Sequence, residues 1–154
     1  MRYALLCLLL SGCLGKQYPA RAMLDKAGVE IFEELLNTHE LNIFRCKANN
    51  GKKINCVGTD YFCDRVVDMM TARSLLHTAV EKYATALGEN FEIKPFLKDG
   101  VIERKNIECT IFFRKWARDI NAVASVSLLD GKVTYSRFDK ESGVQCKIHE
   151  EKYE

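Results

Sequence analysis

The side chains in this chain that could do chemistry are its cysteines and histidines, seven and three of them in 154 residues. A thiol becomes a nucleophile when a neighbouring base holds it as thiolate. No nucleophile signature surrounds any cysteine, and His39, His77 and His149 are far apart in sequence, which is the distribution of solvated or capping histidines. No two cysteines have the Cys-x-x-Cys spacing that preorganises a tetrahedral zinc site. Walker loops, dinucleotide-binding glycine patterns and paired-histidine metal motifs are equally missing from the sequence. The reading is of a chain that is not an enzyme and takes no metal or cofactor.

What the cysteines do instead depends on the compartment. Arg2, the apolar run Ala4 to Leu10 and the small residues after it have the layout of a secretory signal. That run is too short to span a bilayer, so no transmembrane segment is expected. Cleavage after Gly15, with Cys13 and Gly15 as the small residues before the cut, would start the mature chain at Lys16. A second reading stays open: Leu10-Ser11-Gly12-Cys13 also has the form of a bacterial lipobox, which would make the protein a surface lipoprotein anchored at Cys13. Both readings export the chain to an extracellular, oxidising setting.

Export leaves Cys46, Cys56, Cys63, Cys109 and Cys146, enough for two disulfides and one remaining thiol. Sequence leaves the connectivity open; the pairing adopted is Cys46 with Cys56 and Cys109 with Cys146. The fifth thiol would be available to link two chains as a disulfide-bonded dimer. The domain layout is a signal peptide over 1–15, one domain over 16–142, and a Lys- and Glu-rich tail over 143–154 that stays loose unless Cys146 pins it.

With 47% hydrophobic and 29% charged residues, the chain can bury one core of its own. The net charge is only +2, and the two signs are interspersed, so there is no electrostatic footprint for a nucleic acid.

The elements that must position these residues follow from periodicity. Leu24, Ala27, Ile31 and Leu35 recur at helical spacing within 20–37, after Pro19 and before Asn37-Thr38. The stretch Leu41 to Val66 then places two alternating runs about an Asn50-Gly51 turn signal, the pattern of a β-hairpin with Cys46 and Cys56 on either side of the turn. A second helix is expected over 71–87, with Leu76, Val80, Tyr83 and Leu87 aligned, Thr71 as N-cap and Gly88 past the end. Short extended pieces are expected at Phe91–Phe96 and Val101–Arg104, joined through Lys98-Asp99-Gly100. Ile107–Lys115, Ile120–Leu129 and Val133–Phe138 follow as strands, the last two about the Asp130-Gly131 turn. Short loops between them imply an antiparallel sheet.

In this order the chain resembles the cystatin superfamily, which includes cystatins, cathelin domains and latexin-like proteins. Leu41-Asn42-Ile43-Phe44-Arg45 is similar to the family's first strand after its helix. Ile54-Asn55-Cys56-Val57-Gly58 falls on the hairpin-tip motif, and Thr59-Asp60-Tyr61-Phe62 follows in register. Cys109-Thr110-Ile111-Phe112-Phe113 and Ile120 to Val126 resemble the last strands of latexin-like members. The resemblance implies an α+β fold, a cystatin-like antiparallel sheet wrapped on a main helix, with an inserted second helix. It also implies a secreted inhibitor that fills the cleft of a papain-like cysteine protease with a wedge, here Asn55, Cys56, Val57, Gly58 and Thr59 together with Trp116. The sequence departs from the family at that wedge: Ile54 stands where the inhibitory Gln would be, and no Pro accompanies Trp116. A non-inhibitory extracellular binding or signalling protein of the cathelin-like or latexin-like kind is therefore the alternative.

Overall fold

The computed structural model describes residues 34–48, 53–114 and 122–154. The expected signal over 1–15 with Cys13, the helix start, the Asn50-Gly51 turn and Trp116 lie outside these residues. Residues 34–39 are helical and form the described end of α1, with Leu35 buried. Then come β1 (Leu41–Ala48), β2 (Val57–Cys63), α2 (Met69–Glu89), β3 (Ile107–Phe113), β4 (Ser125–Leu129), β5 (Lys132–Phe138) and β6 (Gln145–Lys152). The protein is α+β, with one six-stranded sheet in the order β1-β2-β3-β4-β5-β6.

Period-two alternation decides which side chains reach the core. Val57, Thr59, Tyr61 and Cys63 on β2 line up in register with Ile107, Cys109, Ile111 and Phe113 on β3. Val126 and Leu128 on β4 and Val133 and Tyr135 on β5 continue these rows, and all of these residues are buried. The helix α2 covers this face with Ala72, Leu75, Leu76, Ala79, Val80, Tyr83 and Leu87. Glu34 on α1 pairs with Lys82 of α2 at 2.6 Å, so the described end of α1 lies beside α2.

The expected helix over 71–87 forms and is longer. Asp68, not Thr71, is the N-cap, its carboxylate accepting from the Thr71 backbone N–H at 2.8 Å. Gly88 lies inside the helix, which ends at the Asn90 cap. The Asp130-Gly131 turn joins Leu129 to Lys132 with φ of 50° and 71°, the left-handed backbone a two-residue hairpin requires.

Four expectations need correction. The sheet is mixed, because β2 and β3 are parallel while every other neighbouring pair is antiparallel. The long crossover through α2 is what permits parallel entry. The β1–β2 pairing stops at Ala48 and Val57, so Ile54, Asn55 and Cys56 lie outside the hairpin strand expected to contain them. Ile54 is drawn instead to Leu97, with hydrogen bonds of 2.8 Å from its N–H to Phe96 O and from Lys98 N–H to its own carbonyl. The pieces at Phe91–Phe96 and Val101–Arg104 are not strands; the segment makes 3-10 turns at Lys94–Phe96, Lys98–Gly100 and Arg104–Asn106. Finally, 143–154 is not a loose tail, since β6 pairs with β5 from Lys132–Lys152 to Phe138–Gln145.

Candidate functional site

The second face of the sheet, turned away from α2, carries side chains that a core does not need. A β-bulge in β1 places Ile43 opposite Tyr61 and Arg45 opposite Asp60, leaving Phe44 as the extra residue. Phe44 thereby joins the row of Phe62 and Phe112, with ring centroids 4.8 and 5.8 Å apart along a strip crossing β1, β2 and β3. Phe44 is 50% exposed.

Two arginines fence this strip, and each is held by a carboxylate. Arg45 Nε and Nη2 donate to Asp60 Oδ2 at 2.9 and 2.6 Å, and its guanidinium sits 5.9 Å from the Phe44 centroid. Arg114 Nε and Nη2 donate to the two oxygens of Asp64 at 2.7 and 2.5 Å, and its guanidinium lies 5.4 Å from the Phe62 centroid. Lys47 adds a 2.8 Å ion pair to Asp60 Oδ1. Its stem crosses Gly58, where a Cβ would stand 3.5 Å from Lys47 Cδ and only 3.0 Å from the Glu108 carbonyl oxygen. Next to the strip the face turns to small hydroxyls: Thr110, Ser127 and Thr134 share one row, and Ser125 and Ser136 share another with hydroxyls 2.8 Å apart.

The wedge residues fall elsewhere than the family resemblance implies. Val57, Gly58 and Thr59 are buried inside β2, paired to β1 on one side and β3 on the other, so they form no exposed tip. Asn55 and Cys56 precede the strand. Because β2 and β3 run parallel, the β1–β2 connection leaves the sheet at Ala48 and Val57, whereas the chain leaves β3 beside Cys63, at the other end of β2. Those ends are about 20 Å apart at strand rise.

The adopted disulfides do not form. Cys46 faces Thr59, not Cys56, an offset of three residues or about 10 Å along the strand. Cys109 on β3 and Cys146 on β6 are three strand spacings apart, about 14 Å, twice what a disulfide spans. Burial pushes the Cys109 thiol up to about 12 and, with the Glu108 carboxylate, the Cys56 thiol up to about 11; desolvation also raises Cys63. These three thiols stay protonated at neutral pH.

Two of the histidines pack against tyrosines. His77 stacks on Tyr153 at 4.5 Å, and His149 lies 5.7 Å from Tyr135 and 3.8 Å from Glu151. Among the described residues no group of three or more His, Cys, Asp or Glu is placed to hold a metal ion, and no helix is long and apolar enough to cross a membrane.

Sequence reading missed Phe44, Phe62, Phe112, Arg45 and Arg114 as a group. One signal was present: Phe112 alternates with Glu108, Thr110 and Arg114 on the polar side of its strand, where a large apolar ring has no core to join. Comparison of the chain with protein-family models, with curated proteins and with solved structures finds no match in any of the three.

Proposed function

We propose that this chain is a secreted, non-catalytic binding protein on a cystatin-like helix-and-sheet scaffold, and that it does not act as a wedge inhibitor. The observation that carries this reading is the parallel pairing of β2 with β3. A wedge needs two connections side by side at one end of the sheet to enter a single cleft, and parallel pairing sends them to opposite ends. The buried Val57–Thr59 segment adds support, since a strand interior offers a protease no surface. The raised thiols of Cys56, Cys63 and Cys109 favour a role without covalent chemistry.

The test is titration of the exported chain against papain. A folded sample is expected to leave the protease fully active at micromolar concentration. Stoichiometric inhibition would overturn this reading and restore the inhibitor.

A further inference from the structure

We draw no further inference here: the strongest candidate, the Phe44–Phe62–Phe112 strip across β1, β2 and β3 on the sheet face that α2 does not cover, shares its half of that face with charges of both signs at Arg45, Lys47, Glu108 and Arg114, and nothing in the structure shows what covers it.

Discussion

Asp60 is a carboxylate 1% exposed on the sheet face that α2 does not cover, and its surroundings explain how it stays there. Arg45 and Lys47 close over it from β1, and Gly58 leaves room for the lysine stem to pass. The partners are unequal: the two cations can turn to water if the carboxylate is removed, but the carboxylate cannot follow if they are removed. Arg45→Ala with Lys47→Ala should therefore destabilise the fold by about 3 kcal/mol, more than Asp60→Ala does, as urea unfolding of the three proteins would measure. Equal losses would mean that Asp60 contributes only packing volume. In the sequence, Gly58 was legible as a special position, but for the wrong reason. The family resemblance reads it as part of a hairpin tip, whereas its use here is close approach between strands.

At the scale of elements, α2 and β6 contrast in how much their sequence reveals. The helix is long, strongly periodic and capped by the Asp68 carboxylate, which accepts from the Thr71 N–H, all of which are local properties. Asp68→Ala should cost about 1 kcal/mol, since it orphans the Thr71 N–H and leaves the rest of the helix intact. A thermal melt would show the loss.

The last strand shows no such local sign. Gln145-Cys146-Lys147-Ile148-His149-Glu150-Glu151-Lys152 is mostly exposed and charged, which is how an edge strand avoids pairing with other molecules. It is held by β5 and by the α2 seam, where Tyr135 donates to Glu151 at 2.6 Å, Arg73 reaches Glu151 at 3.3 Å and His77 stacks on Tyr153. Truncation after Gly143 should expose β5 and produce aggregation or a non-cooperative melt, readable by light scattering and calorimetry. A truncated chain that melts like the full one would show that β6 contributes nothing to the fold.

The whole molecule is expected to be sensitive to alkali. In the folded state Cys109 is pushed up to about 12, Cys56 to about 11 and Tyr153 to about 12, each chiefly by burial, against ordinary values of 9.0, 9.0 and 10.0. The unfolded chain gives up these protons first, so it binds fewer protons than the folded chain above pH 9. Stability from these groups is complete below pH 9 and declines as pH rises towards 12. The fully buried Cys109 alone accounts for up to about 1.4 kcal/mol per pH unit across that window. Urea midpoints at pH 7, 9, 10 and 11 should be level at first and then fall, and Cys109→Val should flatten the decline.

What the sequence determined by itself is the local part of this protein. The alternation of Ile107 to Phe113, the helical spacing of Leu76, Val80, Tyr83 and Leu87, and the Asp130-Gly131 turn each follow from the shape of one chain segment, and each is found in the structure. Only the tertiary structure decided that β2 and β3 are parallel, that Ile54 is drawn to Leu97, that β6 completes the sheet, and that three phenylalanines from three strands meet. Periodicity tells which side of a strand is apolar. Which strands become neighbours, and in which direction, depends on how the crossover through α2 returns the chain to the sheet, and no segment carries that information alone.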